Sequence, residues 1–442
     1  KKLEYRGYDS SGIAILSDKG IELNKCKGEI KNLENMIAGR IPSGTCGIGH
    51  TRWATHGAPS DVNSHPHMDQ SGRVALVHNG IVENYVELKE ALINEHGIKF
   101  KSETDSEVIA QLVGVKYNAN GGDLEKAVYD ATKEMRGTYA IGVIAEDTPN
   151  KIVAYRKEAP LIAGLGKKSN FIASDIPALL KYTNDIFLIE NDEMVICTPD
   201  SITIKDKDGK EVKREAMKIT WSVEDAEKGG YEHFMLKEIN EQPKVVAETL
   251  NRRIDEDGKI KLDGINLTKE ELDKYNKIYI VACGTAYHAG LVGKYVIEKM
   301  AGIAVEVDVA SEFRYRDPFI DEKTLFIAIS QSGETLDTLM SLRLAKEKGA
   351  RVLSVVNVVG SSIARESDDV FYTWAGPEIA VASTKAYTTQ LVCMYLIALY
   401  LGDIRGTLTD EYRKFILEEL QQIPEKIQEI LEEAPYIEKL AK

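Results

Sequence analysis

The chain has little that would bind a metal or span a bilayer. Its 442 residues include five cysteines (Cys26, Cys46, Cys197, Cys283 and Cys393), and no two form a Cys-x-x-Cys pair. That scatter argues against a disulfide framework and a structural zinc, and fits a reducing cytosol with thiols as small buried apolar groups. No apolar run approaches the ~20 residues that cross a membrane. The longest, at 391–401, is interrupted by Tyr395 and Tyr400 and reads as a core helix. No secretory pattern opens the sequence, and a cytoplasmic location is expected. Positive charge is in deficit: 56 Lys and Arg against 70 Asp and Glu leave −14, so nucleic acid and membrane are not expected partners. There is no Gly-x-x-x-x-Gly-Lys loop for a nucleoside triphosphate and no His-Glu-x-x-His. What remains, 43% hydrophobic and 29% charged residues, suits a globular protein whose length implies two or three domains.

Against these absences stands one dense polar turn. Leu325-Phe326-Ile327-Ala328-Ile329 reads as a buried parallel strand, Ser330-Gln331-Ser332-Gly333-Glu334-Thr335 follows at once, and 336–348 reads as an amphipathic helix. The turn offers three hydroxyls and a carboxamide beside a helix N-terminus, where free N–H groups and the helix dipole favour an anion. Neutral donors suit one phosphate monoester on a small polar ligand. The plainer reading makes Ser332 and Thr335 helix caps only.

The same design recurs around it. Strands are expected at 278–282, 304–309, 351–356 and 370–373, with helices at 288–300 and 384–401. Repeated βα units give a doubly wound parallel sheet whose ligands sit at the strands' C-terminal edge. The turns at Thr285, 330–335 and 381–383 all end in hydroxyls and could meet there. The 330–335 turn resembles the phosphosugar-binding turn of the sugar isomerase (SIS) family. That resemblance implies that Thr285, Ser330, Gln331, Ser332 and Thr335 hold a phosphate, with Val381 and Ser383 near the sugar. Ala286 departs from many relatives, which carry Ser there. Lys385 is not supported as a Schiff-base lysine and is expected to pack near its turn.

The first half is strand-rich. Strands are expected at 13–16, 21–25, 46–50, 74–78, 139–145, 151–156, 171–173, 186–190, 194–198 and 201–205. Helical periodicity marks 30–38, 84–95, 106–117 and 124–135. Five of the eight histidines fall between His50 and His78. Their spacing carries no metal-site pattern, so no metal is expected, and His65 and His67 are expected to bond backbone around a polar loop. A pocket for a zwitterion is the alternative. Arg52 would grip a carboxylate, Asp105 an ammonium, and Trp53 would form a wall. Asn79 and Gly80, expected in a strand-ending turn, would converge on an oxyanion. Taken singly, these could be surface charges and a hairpin turn.

Tyr5-Arg6-Gly7-Tyr8-Asp9-Ser10, the run His50-Thr51-Arg52-Trp53-Ala54-Thr55-His56-Gly57, His78-Asn79-Gly80 and Ser102-Glu103-Thr104-Asp105 resemble the glutaminase domain of class II glutamine amidotransferases. The resemblance implies an αββα fold of the Ntn-hydrolase type. It implies glutamine binding by Arg52, Trp53, Thr55, His56, Gly80 and Asp105, with oxyanion donors at Asn79 and Gly80. The family's nucleophile is an N-terminal Cys, and no position here matches it; Cys26 and Cys46 lie elsewhere. The chain is therefore expected to be truncated and not to hydrolyse glutamine by itself.

Residues 206–260 are charge-rich, with a turn at 206–210, a loop at 224–230 and a helix at 232–250 broken near Pro243. His233-Phe234-Met235-Leu236-Lys237-Glu238-Ile239 resembles the linker helix of hexosamine-forming synthases. The expected division is a glutaminase domain at 1–215, a linker at 216–262, a first SIS domain at 263–405 and a helical lead-in to a second at 406–442. The resemblance implies transfer of glutamine-derived ammonia to fructose 6-phosphate, giving glucosamine 6-phosphate and glutamate. It implies no cofactor, and a homodimer through the SIS domains. A catalytically silent sensor of glutamine and a phosphosugar is the alternative.

Overall fold

The computed structural model describes every residue except 1, 2, 5, 6, 41, 55, 56, 220–227, 252, 255–259, 263 and 266. The chain divides into two compact units, Lys1–Val223 and Glu224–Lys442.

The first unit is a sandwich of sheets with helices outside. Its elements run β1 Ser10–Ser17, β2 Gly20–Lys27, α1 Ile30–Ile37, β3 Cys46–Arg52, β4 His67–Met68, β5 Val74–Val82, α2 Tyr85–His96, α3 Asp105–Ala119, α4 Leu124–Glu134, β6 Gly137–Ala145 and β7 Ile152–Lys157. They continue with β8 Ile162–Leu165, β9 Asn170–Ala173, β10 Asp185–Leu188, β11 Glu193–Cys197, β12 Ile202–Lys205 and β13 Met217–Lys218. A six-stranded sheet has the order β12-β11-β7-β6-β5-β4, and a three-stranded sheet the order β2-β1-β3. β6 shows why the layers form. Tyr139, Ile141 and Val143 point to the cluster shared with α3 and α4, whereas Ile144 joins Ala14, Leu16, Cys46 and Ile48 of the three-stranded sheet. A strand buried on both faces serves two cores, and α1 packs outside β1 and β2. This is the αββα layering. β4, β8 and β13, at two to four residues each, carry too short an alternation to be read from sequence.

The second unit opens with α5 Phe234–Asn251 and α6 Lys269–Leu272. The βα series follows: β14 Lys277–Ala282, α7 Gly284–Ala301, β15 Ala304–Val309, α8 Ala310–Phe313, β16 Thr324–Ser330, α9 Leu336–Glu347, β17 Arg351–Val356, α10 Ser362–Glu366 and β18 Asp369–Tyr372. Three helices close it, α11 Lys385–Arg405, α12 Asp410–Glu432 and α13 Ala434–Ala441. All five strands are parallel, in the order β15-β14-β16-β17-β18. Alternate residues feed opposite layers. Leu325, Ile327 and Ile329 face the cluster that holds α7, α11 and α12, whereas Phe326 and Ala328 face that of α8, α9 and α10. Burying one such side chain contributes about 1.5–3 kcal/mol.

One expectation changes here. α5 is not broken at Pro243 but runs through it. Proline cannot donate to the carbonyl four residues back. Gln242 Nε2 fills that gap, donating to Ile239 O at 3.1 Å. By length and composition α11 could cross a membrane, but its Val392, Cys393, Met394, Leu396, Ile397 and Leu399 are buried in the unit's own core.

Candidate functional site

In the second unit the strand order reverses between β14 and β16, and the crevice at that reversal is where open parallel sheets take ligands. A cavity of about 180 Å³ opens there. It is smaller than the ~300–1,000 Å³ usual for drug-sized ligands, so it suits a small one. Thr285, Ser330, Gln331, Ser332, Thr335, Val381 and Ser383, separated by up to 98 positions in sequence, all line it. Cys283, Ala286, Glu378 and Gln390 line it too.

The turn after β16 is pre-shaped. Ser330 Oγ and Thr335 Oγ1 lie 2.9 Å apart, and Ser330 Oγ accepts from Gly333 N–H at 3.0 Å. Gly333 takes φ +65°, and a Cβ there would stand 1.9 Å from Ser361 Oγ, so both its conformation and its space demand glycine. Thr335 holds the N-cap position of α9, yet its side chain makes no cap bond. Ser332 Oγ accepts from Glu334 N–H at 3.2 Å, within the turn. Neither hydroxyl caps the helix, which removes the plainer reading. Glu334 would repel an anion, but its carboxylate accepts from Ser362 N–H and Oγ–H, both at 2.8 Å.

The opposite wall hangs on α5 and α11. Glu378 accepts from Ser383 Oγ at 2.9 Å, Thr384 N–H at 2.8 Å and Ala386 N–H at 3.0 Å, and so caps α11 from seven residues upstream. Buried Glu238 of α5 accepts from Ile379 N–H at 2.6 Å and Ala380 N–H at 3.0 Å. Burial raises its pKa, against the pull of those two donors. Buried Lys385 donates to Glu241 at 2.6 Å. That pairing gives the lysine a structural task. Glu378 and Gln390 escape sequence reasoning because a cap donated across a loop has no fixed spacing, and a glutamine on an apolar helix reads as an exception to it.

The first unit gathers the other residues around the ends of β3 and β5, which pack together. Arg52 closes β3 and is buried. It donates to Gly57 O at 2.9 Å and lies 3.9 Å from Asp9. Burial lowers its pKa, and the carboxylates of Asp9 and Asp105 oppose that. Trp53 is exposed, with Tyr8 edge-on at 5.3 Å. Asp105 is the first residue of α3 and is buried. One of its oxygens accepts from Val82 N–H at 3.0 Å. Thr55 and His56 lie outside the described residues.

Asn79 and Gly80 are not in a turn. They continue β5, paired with Ala140 and Tyr139. Gly80 has φ +116°, and a Cβ would come 2.0 Å from Thr138 O, so the strand kinks at a position only glycine fits. Asn79 Oδ1 accepts from His50 Nε2 at 2.8 Å. His50 Nδ1 then accepts from His65 Nδ1, 3.0 Å away. His67 Nε2 meets Thr104 Oγ1 at 3.1 Å, and His78 Nδ1 meets Ser106 Oγ at 2.8 Å. His65 and His67 therefore bond side chains, not the backbone expected for them. Burial holds the pKa of His50 down at about 4 and those of His65 and His67 well below the usual value. These three histidines are packed as neutral rings. Among the described residues no group of three His, Cys, Asp or Glu side chains is disposed to hold a metal.

A family model described as glutamine amidotransferase domain matches residues 50–181, and one described as SIS domain matches 271–400. Glutamine–fructose-6-phosphate aminotransferase (isomerizing) of Clostridium tetani is 58% identical over 440 residues, covering all of this chain and 72% of that protein. A Thermus thermophilus protein of the same name is 49% identical over 442 residues, with the same coverage. Among solved structures, the C-terminal domain of glucosamine-fructose-6-phosphate aminotransferase from Francisella tularensis is 45% identical, with a TM-score of 0.46 over 48% of this chain and 60% of that one. At that identity over that much of a relative's length, this chain belongs to the glutamine–fructose-6-phosphate aminotransferase (isomerizing) family.

Proposed function

We propose that the protein uses ammonia from glutamine to convert fructose 6-phosphate to glucosamine 6-phosphate, leaving glutamate. The first domain, 1–215, holds glutamine: Arg52 takes its α-carboxylate, Asp105 its ammonium, and Trp53, Thr55, His56 and Gly80 complete the pocket. When the amide carbon is attacked, negative charge builds on its oxygen. Asn79 Nδ2 and Gly80 N–H are the donors for it, because His50 occupies Asn79 Oδ1 and so turns the amide nitrogen away from itself. The SIS domain, 263–405, holds the acceptor sugar. Thr285, Ser330, Gln331, Ser332 and Thr335 bind the phosphate with neutral donors and the N-terminal ends of α7 and α9, with Val381 and Ser383 beside the sugar. Residues 216–262 link the two, and 406–442 form a helical extension of the second. The protein works in the cytoplasm as a homodimer formed through the SIS domains, without metal or organic cofactor.

The observation that supports this reading most is the cavity at the β14–β16 reversal, lined by hydroxyls drawn from three separate segments of the chain. Isothermal titration with fructose 6-phosphate tests it. Ser330→Ala and Thr335→Val are each expected to weaken binding about ten- to hundredfold, as befits a lost hydrogen bond to a charged group. Unchanged affinity in both variants, or sugar found elsewhere in a soaked crystal, would sink the reading.

A further inference from the structure

Gln390 lies in the second turn of α11, is 2% exposed, and lines the cavity. Its Oε1 is buried with no hydrogen-bond partner. Three polar neighbours on the helix are satisfied. Lys385 donates to Glu241, Thr388 to Gln242, and Thr389 to the carbonyls of Lys385 and Ala386 at 3.0 and 2.9 Å. A buried acceptor without a donor is costly, and native proteins rarely keep one without a reason. Apolar side chains flank this position along the helix: Ala386, Val392, Cys393 and Met394 are all buried. A leucine or methionine would suit the helix as well, so folding alone does not explain the amide.

We propose that Gln390 Oε1 accepts a hydrogen bond from a hydroxyl of the sugar bound in this cavity, and so helps select the carbohydrate portion of the ligand. This rests on the phosphosugar reading above. The chemistry fixes which end of the ligand it meets. A carbonyl oxygen only accepts. A phosphate monoester near neutral pH is largely a dianion with acceptor oxygens and no proton to give. The two would repel. The sugar's hydroxyls are the donors available, so Gln390 reads the sugar while the 330–335 turn reads the phosphate.

The test uses the whole chain, fructose 6-phosphate and inorganic phosphate, with Gln390→Met as a variant of similar length that lacks the acceptor. Fructose 6-phosphate affinity is expected to fall about three- to tenfold, the worth of one neutral hydrogen bond, while phosphate affinity stays within about twofold. The melting temperature should hold or rise, because an unsatisfied buried group has been removed. A residue that merely supports the fold would lower it and weaken both ligands alike. Equal losses for the two ligands, or none for the sugar phosphate, overturn the proposal. If the variant does not fold, the wild-type complex decides. Gln390 Oε1 within about 3.2 Å of a sugar hydroxyl is expected, and an Oε1 bonded to water or to nothing overturns the assignment. Failure of the wild type to bind fructose 6-phosphate would instead remove the underlying reading.

Discussion

Cys283 is the one cysteine of five that is not buried, and it sits at the mouth of α7 among the residues that line the cavity at the β14–β16 reversal. Burial pushes the other thiols up, Cys197 and Cys393 to about 12. Iodoacetamide at about pH 8 should therefore label Cys283 first, with fructose 6-phosphate slowing the reaction at least severalfold; peptide mass mapping reads both. Labelling of Cys26 or Cys46 ahead of it would count against the cavity's being open there. Ala286 makes a sharper residue test. It lines the cavity with a methyl group where the resemblance to the SIS family leads one to expect a hydroxyl. Ala286→Ser is expected to tighten fructose 6-phosphate binding by up to about tenfold, one neutral hydrogen bond, by titration calorimetry.

At the scale of elements, the cavity wall depends on caps donated over a distance. Glu378→Ala takes three hydrogen bonds from the N-terminus of α11. The expected cost is about 1.5–3 kcal/mol, read as a lower urea midpoint for the second unit with an unchanged slope. Sugar affinity should drop with it, since Ser383 loses its anchor. A variant as stable as the parent would show that the cap contributes nothing. The βα units themselves were legible, because strands such as β16 carry an unbroken apolar run, 325–329, and the helices end in glycine or polar turns. So was the convergence of Thr285, Ser330 and Ser383, since a parallel sheet brings every strand's C-terminal end to one edge. The extension of β5 through Asn79 and Gly80 was not legible. A polar trio looks like a turn when the partner strand β6 is about 60 residues away and unseen. Pro243 misled for a related reason: the side chain that rescues its helix rung leaves no trace in periodicity.

For the whole molecule, the units differ in how they should answer acid. His50, His65 and His67 are held neutral in the first unit. Their folded pKa values lie below the unfolded value near 6.5, so below that pH the unfolded chain binds protons that the folded unit refuses. Stability is thus unaffected by these groups above about pH 6.5 and falls as pH drops from there toward about 4. Thermal melts of the first unit should move steadily downward over that window. The ring protons of His50 should show no titration step near pH 6.5 by NMR. A midpoint flat from about pH 7 to about 5 would mean that the rings take up protons as readily folded as unfolded.

Gln242 spends both ends of one amide. Its nitrogen supplies the missing rung at Ile239, and its oxygen takes the hydroxyl of Thr388, two residues before Gln390. A flaw in one helix and the helix that carries Gln390 to the cavity therefore share a single rivet. Anything that flexes α5 at its proline must tug on α11, so strain in that helix has a mechanical route to the cavity wall.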